Sequence, residues 1–208
     1  MEILAVISLI SIIFYVGATM MRNNSRDEIE QVVNSIQRGV RFANDEAVIR
    51  NFTVRLKISM DKTPQALALE YTTETDLLID DPTKEDDNLV VEDKQTILKR
   101  QKEVNQSFLV NEDFKKNVEP IPESVVILAA KTADQNQLSF QQEFYLYFYP
   151  SGIRDQGQIF LGNIEEFALI SIDAVRDKID VEYRKNPYGL DDVQSIRNYL
   201  QNWAKEKP

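Results

Sequence analysis

From Ile3 to Met21 the chain runs for nineteen residues without a charge (ILAVISLISIIFYVGATMM), and no proline occurs before Pro64. An uninterrupted helix is the regular structure that satisfies its own backbone in so apolar a run. At about 1.5 Å per residue such a helix reaches roughly 28 Å, close to a hydrocarbon core of about 30 Å. Ile3, Leu4, Val6, Ile7, Leu9, Ile10, Ile12, Ile13 and Phe14 carry most of its apolar surface, and Arg22, Arg26 and Asp27 end it. A secretory signal peptide would want a basic leader, a shorter apolar core and a small-residue cleavage site. Only Met1 and Glu2 precede the run, so a membrane-spanning segment is the favoured expectation.

The helical pattern continues past Arg22. Ile29, Val33, Ile36, Val40, Ala43 and Ala47 recur at steps of four, three, four, three and four, an apolar stripe on one helix face. Gly39 is the one glycine in that stretch and nothing forces a break. The expectation is a single helix from about Ile3 to Arg50, roughly 70 Å long. Residues 1–22 form its apolar half and 23–51 its amphipathic half. A coiled coil would show a similar stripe, but the strand pattern that follows directly favours packing on a sheet.

Residues 52–208 read as a β-rich head. Phe52–Met60 alternates apolar and polar at each step, and Ala66–Tyr71 alternates again across a short Asp61–Gln65 connection, which is a hairpin pattern. A helical stretch is expected over Val90–Val104 and a boundary at Pro120 and Pro122. Further strands are expected at Ser124–Ala129, Leu138–Tyr149, Gln158–Leu161, Phe167–Ile172 and Lys178–Tyr183. Leu138–Tyr149 carries six aromatics in twelve residues, with Phe140, Phe144, Leu146 and Phe148 assigned to one face. Leu190, Val193, Ile196, Leu200 and Trp203 mark a closing amphipathic helix. The fold class expected is α+β: a long N-terminal helix on a mainly antiparallel head with a C-terminal helix.

Charge and composition narrow the chemistry. The 208 residues contain no cysteine and no histidine, which removes disulfides, Cys/His zinc sites, His or Cys haem ligation and Ser-His-Asp or Cys-His catalysis. The net charge of −10 is local: Glu70–Asp93 holds ten acids against Lys84, and the rest of the chain carries 24 acids against 23 bases. A nucleic-acid partner is not expected from that balance. The segment 70–93 reads as an acidic loop. Within it Asp80, Asp81, Asp86 and Asp87 are calcium candidates, since hard cations take clustered carboxylates. The alternating spacing of a preformed calcium loop is missing, and a solvated acidic loop is favoured, with electrostatic docking to a basic partner a further reading. No other cofactor is expected.

The tyrosines Tyr145, Tyr147 and Tyr149 offer either a binding face or the outer cover of a core strand, the latter being favoured. Gly152, Gly157 and Gly162 match no phosphate-binding pattern. Many Asp and Glu residues are present, but no motif singles out a catalytic pair. The chain is not expected to be an enzyme.

Glu2 is the odd residue at the edge of the apolar run. It lies in the headgroup region with no special role, or it has a positive partner. Glu2-Ile3-Leu4-Ala5-Val6-Ile7 resembles the opening of type IV pilins and type II secretion pseudopilins, in which an apolar residue precedes a glutamate and an apolar stretch follows. The family's Phe-Thr-Leu and basic leader are not in this sequence. The passage Arg41–Ile49 into Phe52–Met60, and Phe148-Tyr149-Pro150-Ser151-Gly152 before Gln158–Leu161, are most similar to the H-type minor pseudopilins (GspH and FimT). The resemblance implies a structural minor pseudopilin or minor pilin that initiates or caps a pilus-like filament. It also implies a single-pass inner-membrane location with the head in the periplasm, and pilin-like partners met through the N-terminal helix. Secreted cargo is a further partner to consider. In that family the residue matched by Glu2 neutralises a neighbouring subunit's N-terminal amine, which makes a buried charge tolerable. Two alternatives stand beside it, a membrane-anchored periplasmic binding or sensor module without a filament and, more weakly, an anchored hydrolase.

Overall fold

The computed structural model describes the backbone of residues 2–73, 99, 102–133, 135, 137–140, 143–176 and 178–206, with side chains from Arg26 onward. Helix α1 spans Glu2–Arg50, 49 residues. It stops where Asn51 enters the left-handed region at φ 55, and the Phe52 N–H donates to the Ala47 carbonyl at 3.2 Å. This is a Schellman-type ending with asparagine in the place usually held by glycine. Ile29, Val33, Ile36, Val40, Ala43 and Ala47 are each no more than 3% exposed, and Val32 widens the stripe. Burying one such aliphatic side chain contributes about 1.5–3 kcal/mol, so the stripe alone fixes this half of α1 to the head.

The head begins with β1 (Thr53–Ser59) and β2 (Ala66–Thr72), paired antiparallel with Leu56 opposite Leu69. The chain returns through a helical segment at 102–107 (α2), β3 (Leu109–Val110) and the six-residue α3 (Glu112–Asn117). Then come β4 (Val126–Thr132), β5 (Glu143–Phe148), β6 (Gly157–Gly162), β7 (Glu166–Ile172), β8 (Ile179–Lys185) and α4 (Val193–Glu206). The strands form two antiparallel sheets, in the orders β3-β2-β1-β5 and β4-β6-β7-β8. The architecture is α+β with a C-terminal helix, as the sequence predicts.

The main core lies where α1 and the inner faces of both sheets meet. Val54, Leu56 and Ile58 of β1 point into it, as do Phe144, Leu146 and Phe148 of β5 and Ile159, Leu161 and Ile170 of the second sheet. A second core lies on the far face of the second sheet, where Phe160, Phe167 and Leu169 meet Ile196, Leu200 and Trp203 of α4. The middle strands β6 and β7 are therefore covered on both faces, which is why they read as continuous apolar runs instead of alternating ones. Gly162 shows how closely these layers approach: a Cβ there would lie 2.7 Å from Leu128 Cδ1 and 2.8 Å from Phe167 Cδ1.

Several boundaries differ from expectation. The aromatic segment is not one strand: β5 starts only at Glu143. Leu138 and Phe140 belong instead to the α4 side, beside a bridge between Ser139 and Ala130 of β4. The chain there crosses from one sheet to the other, and aromatic composition does not record a crossing. Val193 is 51% exposed although it falls in the apolar period of α4, of which it is the first residue. Glu70 and Tyr71 lie in β2, as the Ala66–Tyr71 alternation predicts, so the acidic loop does not open at Glu70; the acidic segment from Glu74 onward lies outside the described residues. Two elements were not expected, β3 and α3. The Asn111 side chain accepts from the Phe114 N–H at 3.0 Å, an N-cap that delivers Phe114 against Gly39, where a Cβ would sit 3.2 Å from its ring.

Candidate functional site

The exposed side of α1 is polar and is fastened to the head along its edges. Arg26 meets Glu30 at 3.1 Å and Glu166 of β7 at 3.9 Å, with its guanidinium 5.3 Å from the Tyr183 ring centroid. Ser124 donates to Glu28, and Gln31 donates to Glu119 at 2.9 Å. Exposed ion pairs of this kind are each worth little, so the polar edges set the roll of the helix while the apolar stripe supplies the binding. Asn34's neighbours one turn on, Arg38 and Arg41, and then Asp45 are exposed, as is Asn34 itself. At the far end Val48 and Ile49 are 48% and 79% exposed, and Ile153 in the β5–β6 turn is 51% exposed.

The side chains of Glu2 and of the apolar run Ile3–Phe14 lie outside those described, as do Asp80, Asp81, Asp86 and Asp87. Among the residues whose side chains are described, from Arg26 onward, no helix is long and apolar enough to cross a membrane, and no group of three or more acidic residues could hold a metal ion.

The outer face of the first sheet carries an arrangement the sequence did not announce. Arg55 of β1 is 2% exposed. Its Nε donates to Glu70 Oε2 at 2.7 Å, and its Nη1 to Asn105 Oδ1 at 2.5 Å and to the Tyr147 hydroxyl at 3.4 Å. The guanidinium is sandwiched between Phe108 and Tyr145, 3.9 and 4.3 Å from the ring centroids. Lys57 pairs with Glu143 at 2.7 Å, and Tyr145 donates to the same carboxylate at 2.6 Å. Burial, reinforced by the bond to Glu143, pushes the Tyr145 hydroxyl well up from its ordinary value. Burial also raises Tyr147, with Arg55 opposing it. Burial alone would raise the Glu143 carboxyl, but the bonds from Lys57 and Tyr145 outweigh it and hold the group below its usual range. Tyr145 and Tyr147 thus cover a buried cation instead of forming an open tyrosine face, and Tyr149 turns away to donate to Asp155 at 3.3 Å.

A concavity lies elsewhere, between the Met60–Gln65 turn, the 121–128 segment and the start of α4. It has a volume of 690 Å³ and is lined mainly by apolar side chains. Gln65 forms one wall in an unusual way. Its Oε1 accepts from the Ile127 N–H at 2.6 Å and its Nε2 donates to the Ile127 carbonyl at 3.0 Å. A side-chain amide thereby takes the two bonds that a neighbouring strand would make along β4. Lys62 and Arg197 stand at the rim. Gln65 at the end of a hairpin turn was the only signal in the sequence, and by itself it reads as an ordinary polar turn residue.

Comparison of the chain with protein-family models, curated proteins and solved structures finds no match.

Proposed function

We propose that the chain is a structural minor pseudopilin or minor pilin subunit, inserted in the inner membrane by its first apolar half-helix and acting in initiation or capping of a pilus-like filament. One observation carries the reading. A single 49-residue helix has an uncharged apolar stretch over residues 3–21 and a second half held to a β-rich head by a buried stripe. In this reading the apolar surface of the first half is covered by lipid or by other subunits. The exposed polar row on the second half leaves the helix free to lie beside equivalent helices. In this reading Glu2 meets the N-terminal amine of a neighbouring subunit, where pairing offsets the cost of taking a carboxylate out of water. The H-type resemblance belongs to the same proposal, with α1 laid against two antiparallel sheets.

The test uses photocrosslinking from Leu9 or Ile13 in cells that make the protein naturally. The expected crosslinked partner is a protein with its own N-terminal apolar helix opening on a glutamate. Glu2→Ala should leave membrane fractionation intact and reduce that crosslink severalfold. Crosslinks to lipid alone, or a Glu2→Ala variant with unchanged crosslinks, refute the filament role. The pocket beside α4 favours the second reading, an anchored binding module without a filament, and the first of those outcomes would leave it standing.

A further inference from the structure

We infer that the pocket between the Met60–Gln65 turn and α4 binds a small apolar carboxylate, a molecule with an alkyl or aryl body and one anionic end. The volume of 690 Å³ falls within the range of small-molecule sites, which are mostly apolar with a few placed polar groups. Met60, Ile121, Ile127 and Ile196 are buried around it, and Val193 stands half exposed at the mouth. Among these walls Arg197 is the group that asks for a partner. Its guanidinium lies 5.0 Å from the Phe140 ring centroid, the residue is half buried, and no carboxylate pairs with it among the described residues. A planar guanidinium held over a ring at the edge of an apolar cavity presents a fork of N–H donors suited to a carboxylate. Lys62, which also lines the pocket, already lies 3.9 Å from Glu143, so Arg197 is the anchoring cation. Glu123, the acid among the lining residues, is turned to solvent.

Gln65 decides between a small molecule and a peptide. An extended peptide that lies along a free strand edge draws its affinity from main-chain hydrogen bonds. At Ile127 both main-chain groups are already taken by the Gln65 amide. The wall that remains offers apolar contact and a cation, which an alkyl or aryl acid uses fully and a peptide strand does not.

The inference does not depend on the filament reading, and its test leaves α1 untouched. The full chain in detergent is photolabelled with 4-benzoylbenzoate and the label mapped by mass spectrometry. Label is expected in the 121–128 and 190–197 segments, with octanoate competing and octanol not. Arg197→Gln should weaken octanoate competition roughly ten- to a hundredfold, the worth of hydrogen bonds to a charged group, and Arg197→Lys should recover part of it. Val193→Trp, which fills the mouth from an exposed position, should abolish labelling; parental far-ultraviolet circular dichroism and a cooperative thermal transition show that the three variants fold. Equal competition by octanol, label spread along the chain, or displacement by an apolar peptide amide but not by octanoate would each overturn the proposal.

Discussion

Replacing Arg55 by methionine is the most informative perturbation of the head. Arg55 and Glu70 have side chains 2% and 10% exposed and approach to 2.5 Å, so this is a buried pair. Methionine keeps much of the aliphatic volume between Phe108 and Tyr145 but leaves the Glu70 carboxylate without its cation. Breaking such a pair costs about 3–5 kcal/mol, because the remaining charge is stranded away from water. For a chain of this size, 1 kcal/mol moves Tm by roughly 2–4 °C, so Arg55→Met should lower Tm by about 6–20 °C. The assay is thermal unfolding of the full chain in detergent, followed by near-ultraviolet circular dichroism. Hydrogen exchange supplies a local readout: amides at 102–110 should lose protection before those of β6 and β7, since Asn105 and Phe108 hold that segment to Arg55. The double variant Arg55→Met/Glu70→Met separates causes. If the ion pair dominates, removing both charges should recover most of the loss. A single variant within about 1 kcal/mol of the parent would falsify the buried-pair argument. A double variant as unstable as the single one would place the stabilisation in the aromatic sandwich instead.

Three further outcomes follow from the packing. Gly162→Ala should destabilise by about 1–3 kcal/mol, the range for overpacking, because the added methyl meets the rigid, fully buried Phe167 ring; denaturant titration reads it. Ile36→Ala, at 0% exposure, should cost about 2–5 kcal/mol, while Ile49→Ala, at 79% exposure, should stay within about 0.5 kcal/mol. Glu143 titrates below its ordinary value when folded, so its contribution is present at neutral pH and lost as pH falls through the folded pKa. Glu143→Gln should therefore flatten the decline of Tm on acidification below about pH 4, and an unchanged decline would remove Glu143 from the account.

What could be read from the sequence was whatever repeats with a fixed period. The α1 stripe and the alternation of β1 are one-dimensional records of a buried face, and the residues they nominate are buried apart from Phe52, which is half-buried. Where an element is covered twice the record changes form: β6 and β7 lose alternation because α4 lies on the second sheet's far face. Arg55 shows where such reading fails. In Thr53-Val54-Arg55-Leu56-Lys57 it occupies a polar position no different from that of Lys57, yet Arg55 is buried and Lys57 only partly so. The difference is Phe108, fifty-three residues downstream, and no local pattern encodes that meeting. Glu70 was likewise grouped with the acidic segment by charge count, although its strand position and its cation set it apart. The pocket is built from a turn, a connection, the start of β4 and the first turn of a helix, places where periodicity stops or has only begun.

The two sheets are covered by opposite chemistry, and this bears on how the head could work. On the second sheet α4 is held by apolar contact through Leu200 and Trp203, a non-directional attachment that tolerates small shifts. On the first sheet the 102–108 segment is held by a few directional bonds converging on one guanidinium, an attachment that is either made or lost. Disturbing charge should therefore release the cover of the first sheet while α4 stays in place. Filling or emptying the pocket should act on the first turn of α4 without reaching Arg55. Neither cover touches the stripe of α1, which packs on the inner faces of both sheets. The helix proposed to join other subunits is thus tied to the core, and the pocket reaches that core through Met60, Ile121, Val125 and Ile127, which line it and belong to the same cluster as the stripe.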